Sequence, residues 1–221
     1  YGIPEMSNDR WLQNIEKALS FQVPHISSYA LTVEPKTALK KFIDQGLVPP
    51  VDDELAQEQY LLLTSTLAKA GYDNYEISNF GKPGYYSKNN TAYWQGKKYM
   101  GIGPSAHSFD GRRRGWNIAN NPKYIKMIQE EVLPMEEEVL STTDNYNEYV
   151  MTGLRTIWGV SLNRIKTDFG ERYHAYILQQ AEKHLQEQLL FLDGDTLLVS
   201  QKGKFLSDGI ASDLFLLNLE A

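Results

Sequence analysis

Apolar residues along the 221-residue chain recur at helical and then at strand spacing, and the alternation repeats. Trp11, Ile15 and Leu19 fall four residues apart behind Ser7, an N-cap residue type, and predict a helix of about three turns. Residues 25–33 (HISSYALTV) are rich in β-formers and bounded by Pro24 and Pro35, the pattern of a strand buried in a sheet. Asp52 and Asp53 then open a second helical run carrying Leu55, Leu62, Leu63 and Leu67, with Gly71 in the C-terminal capping position. Residues 72–77 return to strand character. This alternation predicts an α/β fold built of βαβ units around a parallel sheet, with functional groups beyond the C-terminal ends of its strands. Thr32 and Glu34 would follow one strand, and residues 78–80 the next.

From 81 to 116 Gly, Asn and Tyr replace the helical period, which predicts an extended loop region of the kind that carries function. Residues 123–132 predict another helix, and Pro134 with Glu136, Glu137 and Glu138 marks a domain boundary. The domains expected are therefore 1–134 and 135–221. In the second, 147–158 and 172–186 read as helices, and 189–193 and 196–200 as a hairpin around Gly194-Asp195. A last helix carries Phe205, Leu206, Ile210, Leu214 and Leu217, giving a mostly helical, winged-helix-like arrangement.

Composition narrows the classes. The chain is 42% hydrophobic, enough for a real core, and its net charge of −6 gives no general attraction to polyanions. Glu171, Glu182 and Glu187 offset the basic residues of the wing region, so no nucleic-acid partner is expected. No apolar run approaches the roughly 20 residues of a membrane span and no signal-peptide pattern is present, so a cytoplasmic location is expected. The absence of cysteine excludes disulfides and thiolate ligation of zinc or an iron–sulfur cluster by this chain. Tyr1-Gly2-Ile3-Pro4 reads as the exit from a buried strand into a loop, so the chain is expected to be a fragment of a longer protein.

Candidate chemistry concentrates in residues 75–109, YEISNFGKPGYYSKNNTAYWQGKKYMGIGPSAHSF. Aromatic faces stack on planar rings and glycines permit close backbone approach, so the stretch suits a large flat ligand; packing against the fold's own core is the competing reading. Gly101-Ile102-Gly103 lacks the third glycine of a dinucleotide fingerprint and reads as a tight segment leading to His107. His107 suits a proton donor, a ligand contact, an axial iron ligand or a hydrogen-bonded structural role. Glu34 and Glu76 at strand ends suit ligand binding or ordinary ion pairs. Arg112-Arg113-Arg114 suits propionates or phosphates, or a solvated turn.

The segments YGIP, HISSYALTVEPKT, GYDNYEISNF, NNTAYW and GIGPSAHS, in this order, resemble the oxygen-independent coproporphyrinogen III oxidase family, and within it the heme chaperone branch. The resemblance implies a radical S-adenosylmethionine protein with a partial (β/α) TIM-type barrel, of which this chain is the C-terminal part. Relatives bind a [4Fe–4S] cluster through a CxxxCxxC motif that is missing here. It implies S-adenosylmethionine contacts at the positions of Thr32, Gly103 and His107. It also implies tetrapyrrole contacts at Glu76, Asn89, Asn90, Tyr93, Trp94 and His107. In the chaperone branch the heme-linked motif is HNxxYW, and Asn89 stands where that motif has histidine. An amide does not replace imidazole on iron, which leaves stacking by Tyr93 and Trp94, or His107 as the ligand. The implied function is holding heme and delivering it to a client heme protein, clients at a membrane included. The alternative is oxidative decarboxylation of coproporphyrinogen III propionates. The chain by itself is expected to be inactive, and an exposed sheet edge to favour its dimerisation.

Overall fold

The computed structural model describes residues 1–217. Contacts divide the chain into two compact units, Tyr1–Ser87 and Lys88–Ala221.

The first unit begins with α1 (Asn8–Ser20), whose Ser7 side chain accepts from Arg10 N–H as the N-cap pattern requires. β1 (His25–Ser27) follows, then the short α2 (Ala38–Asp44) and the long α3 (Asp53–Lys69), capped by Asp52 on Glu54 and Leu55 N–H. Helix α3 buries Tyr60, Leu63 and Leu67. Fully buried Gln59 ties the elements together: its carbonyl oxygen accepts from Gly2 N–H at 2.8 Å, and its amide donates to the Met6 carbonyl at 2.8 Å. The predicted strand over 25–33 stops at Ser27, because its partner is only three residues long and only Ser28 N–H, bonded to the Ser78 carbonyl, extends the ladder.

The strand expected over 72–77 is a hairpin of β2 (Asp73–Glu76) and β3 (Asn79–Gly81). β3 lies between β1 and β2 and pairs antiparallel with both, which corrects the parallel pairing expected from the helix–strand alternation. The cause is local. The buried Glu76 carboxylate accepts from Ser78 N–H at 3.3 Å and from the Asn79 side-chain amide, folding the chain back at Ile77-Ser78.

The second unit has regular structure where a loop was expected: α4 (Lys88–Trp94), β4 (His107–Phe109) and β5 (Arg113–Asn117). After α5 (Asn121–Gln129), β6 (Met135–Val139) joins β5, so the sheet order is β4-β5-β6, all antiparallel. The acidic run 136–138 thus lies in a strand, with Glu138 opposite Arg114 and Glu137, opposite Gly115, paired diagonally with Arg113.

Helix α6 (Thr142–Leu154) starts five residues earlier than the sequence pattern suggests, since Ser141 and Asp144 form a capping box. β7 (Val160–Ser161) leads into the short α7 (Leu162–Arg164) and a π-helical turn, Ile165–Phe169. Then come α8 (Glu171–Gln186), the hairpin β8 (Leu190–Asp193) and β9 (Thr196–Val199), and α9 (Ser207–Asp213). The antiparallel sheet β7-β9-β8 with α6, α8 and α9 forms the winged arrangement. Its core is Tyr146, Val150, Leu154, Ile165, Ile177 and Leu214, each at most 2% exposed. The predicted last helix stops at Asp213, and Phe205 and Leu206 belong to a preceding 3-10 turn. Among the described residues no helix is long and apolar enough to cross a membrane.

Candidate functional site

The second unit contains a cleft of about 650 Å³ whose walls are rich in aromatic rings. From α4 and the strands come Tyr93, Trp94, Tyr99 and Phe109, a chain of neighbouring rings with centroids 5.3 Å (Tyr93–Trp94), 5.9 Å (Tyr93–Tyr99) and 6.2 Å (Tyr99–Phe109) apart. From α6 to the π-helical turn come Tyr149, Trp158 and Phe169, and the Tyr149 and Phe169 rings stack at 6.1 Å and 27°. Two arginines join them. The Arg164 guanidinium lies 4.3 Å from the Tyr149 centroid and bonds Asp168 through Nε at 3.1 Å. Arg114 pairs with Glu148 and, at 3.6 Å, with Glu138. Each cationic group of the cleft thus has a carboxylate, and burial pushes the Tyr99 phenol upward in pKa, so it stays protonated at neutral pH. The arrangement can sandwich a large planar ligand and offer guanidinium forks to its acidic groups.

The turn after α6 makes this possible. Gly153 passes so close to β7 that a Cβ there would stand 2.6 Å from the Gly159 carbonyl oxygen. Gly159 itself has φ +63, and a Cβ there would meet the Leu197 carbonyl oxygen at 2.6 Å. This contact aligns Trp158 beside the cleft wall.

The residues singled out from sequence divide. Tyr93 and Trp94 line the cleft, whereas Asn89 is exposed on α4 one turn before Tyr93, and Asn90 is half-buried. His107 is exposed at the start of β4, opposite Trp116, and does not line the cleft. Gly101 and Gly103 are held by their own chain: Asn117 donates to both carbonyls, at 3.3 and 2.9 Å, and Gly103 N–H bonds the Tyr124 hydroxyl at 3.2 Å. A Cβ on Gly101 would meet the His107 carbonyl at 2.2 Å, so the close approach there is to β4. In the first unit Thr32 and Glu34 are exposed in irregular backbone, and Glu76 closes its hairpin turn. Of the three arginines, Arg114 reaches the cleft, Arg113 pairs with Glu137 at 3.6 Å, and Arg112 sits in a turn whose N–H groups bond Asp110.

Comparisons with known proteins bear on the fold and the family. Residues 140–206 fit the model of the HemN C-terminal domain. The chain is 32% identical over 215 residues to the heme chaperone HemW of Mycobacterium tuberculosis, covering 97% of the chain and 53% of that protein. Over 106 residues it is 42% identical to the mouse mitochondrial radical S-adenosyl methionine domain-containing protein 1, covering 48% of the chain and 24% of the relative. The Escherichia coli coproporphyrinogen III oxidase HemN, whose structure is described as that of a radical SAM enzyme, superposes with a TM-score of 0.77 at 16% identity, over 97% of the chain and 53% of the enzyme. The chain is thus similar to the oxygen-independent coproporphyrinogen III oxidase-like family of radical S-adenosylmethionine proteins. Its fold is the C-terminal part of that family's partial barrel followed by the winged C-terminal domain. The chain spans about half the length of the curated relatives it matches.

Thiolate ligands for an iron–sulfur cluster are not among these residues. The 221 residues hold no cysteine, and among the described residues no group of three or more His, Asp or Glu could hold a metal ion. Thr32 and His107 are both exposed.

Sequence reasoning missed Tyr149, Trp158, Arg164 and Phe169. The signal was the pair Gly153 and Gly159 flanking Trp158, two glycines where a helix pattern ends, which marks a close backbone approach beside an aromatic residue.

Proposed function

We propose that this chain is the tetrapyrrole-holding part of a heme chaperone, with heme carried in the aromatic cleft and passed to a client heme protein. The observation that carries the reading is that Tyr93 and Trp94, the last two residues of the heme-linked motif, face a cleft walled by further rings. The whole protein would use S-adenosylmethionine and a [4Fe–4S] cluster, the cluster on thiolates that these 221 residues do not contain, with Thr32, Gly103 and His107 each a candidate S-adenosylmethionine contact. Asn89, Asn90 and Glu76 would act by positioning α4 and the 76–79 hairpin, because Asn89 is exposed and Glu76 is committed to its turn. The division into 1–134 and 135–221 would then put both walls' elements to use in one site.

The test is hemin added to the purified chain, followed by gel filtration with absorbance at the heme band. Co-elution in a one-to-one ratio that is lost in the Tyr93→Ala/Trp94→Ala variant is expected. Absence of co-elution overturns the reading. Turnover of coproporphyrinogen III by the full protein, dependent on S-adenosylmethionine, would replace it with the oxidase.

A further inference from the structure

The residues that line the cleft include tyrosines, tryptophans, two phenylalanines, two arginines and carboxylate partners of each, but no histidine, cysteine or methionine. Iron in a porphyrin is held by imidazole, thiolate, thioether or phenolate. Of the three phenols that line the cleft, the Tyr149 hydroxyl accepts from Ser161 N–H at 2.9 Å and burial raises the Tyr99 pKa, which leaves the half-exposed Tyr93 as the one phenolate an iron could take. What the walls do offer is ring face and guanidinium. Arg164 is the clearest element. Its side chain is about half exposed, it lies on Tyr149, and its one ion pair among the described residues uses Nε, leaving the terminal nitrogens for a second oxyanion. A guanidinium stacked on a ring has its in-plane donors pre-oriented, so a carboxylate can dock with little further loss of side-chain freedom.

We propose that the cleft recognises a porphyrin by its ring face and a propionate carboxylate, irrespective of the metal, with Arg164 on Tyr149 as the docking platform. This rests on the tetrapyrrole reading above and narrows it: the class of ligand is the porphyrin dicarboxylate, metal-free or metallated. It also gives the winged C-terminal domain a direct part in specificity, since Tyr149, Trp158, Arg164 and Phe169 all lie within it. Delivery then needs no iron–protein bond to break, and release depends on opening the ring sandwich.

Trp94 and Trp158 both line the cleft, so quenching of the chain's tryptophan fluorescence reports occupancy. Three ligands are titrated into the wild-type chain: hemin, protoporphyrin IX, and protoporphyrin IX dimethyl ester, which keeps the ring and loses both carboxylates. Hemin and protoporphyrin IX are expected to bind within about threefold of each other, and the ester about tenfold more weakly, the scale of one charge-assisted hydrogen-bonded contact. Arg164→Gln is expected to weaken the two acids by about the same factor and leave the ester unchanged. Hemin binding about a hundredfold tighter than the metal-free ring would show an iron ligand and overturn the inference while leaving the chaperone reading intact. Ester binding as tight as the acid overturns the carboxylate contact. Failure of all three ligands to quench overturns the tetrapyrrole reading itself.

Discussion

Replacing Gly153 with alanine forces α6 away from β7. The added Cβ would stand 2.6 Å from both the Gly159 carbonyl oxygen and Val160 Cγ2, well inside the 3.4 Å at which ordinary van der Waals contact begins. One of these neighbours is backbone and the other is a core residue with 0% exposure, so neither can rotate away. Overpacking of this kind costs about 1–3 kcal/mol, and a backbone clash belongs at the upper end. The gain in helix propensity from Gly to Ala is at most about 1 kcal/mol near a helix end. The net expectation is a loss of about 2 kcal/mol, which for a chain of this size lowers Tm by about 4–8 °C. Because Gly153 and Gly159 both line the cleft, hemin affinity should fall in the same variant. Thermal melting and a hemin titration check the two halves. An unchanged or raised Tm would refute the packing argument, and unchanged affinity in a destabilised variant would refute the link between this contact and the cleft.

Three further outcomes are expected. Tyr146→Phe removes the hydroxyl that bonds the Leu214 carbonyl at 3.0 Å in the core of the winged domain; about 1 kcal/mol of unfolding free energy should be lost in urea denaturation, without loss of hemin binding. Asn89→His puts an imidazole on the same face of α4 as Tyr93 and should tighten hemin, read as a shift of its absorption band, while leaving protoporphyrin IX unaffected. The Asp144 carboxyl is held below its ordinary pKa chiefly by the Ser141 hydroxyl and then by the Ser141 N–H. Its folded-state pKa is depressed, so its contribution is complete above the unfolded value and is lost as pH falls through the folded one. Melting of the wild type should therefore soften below about pH 4, and Asp144→Asn should flatten that dependence.

Much of the fold was legible because its signals are local. Ser7, Asp52 and Gly71 bracket α1 and α3 as their capping chemistry dictates, and the Gly194-Asp195 turn with its flanking strands came through intact. What failed was decided at a distance. The β2–β3 turn has no glycine or proline at Ile77-Ser78; it depends on Glu76 reaching forward to Asn79, and a residue pattern reads the segment as one continuous strand. Strands β5 and β6 are invisible in composition because their faces carry Arg and Glu cross-pairs where alternating apolar residues would otherwise announce a sheet, and β4 is only three residues long. Tyr93 and Trp94 could be singled out because NNTAYW resembles a family motif. Tyr149, Trp158 and Arg164 could not, since 55 or more residues separate them from Trp94 and only the folded chain brings them to one cleft.

Hydrogen exchange on the full chain with and without hemin, resolved by peptide mass, tests the central claim most directly. If the aromatic cleft holds the tetrapyrrole, protection should rise in the peptides carrying Tyr93 to Tyr99 and Tyr149 to Phe169 and stay unchanged around Thr32 and Glu76. Protection confined to the unit Tyr1–Ser87, with none in the cleft peptides, would contradict it.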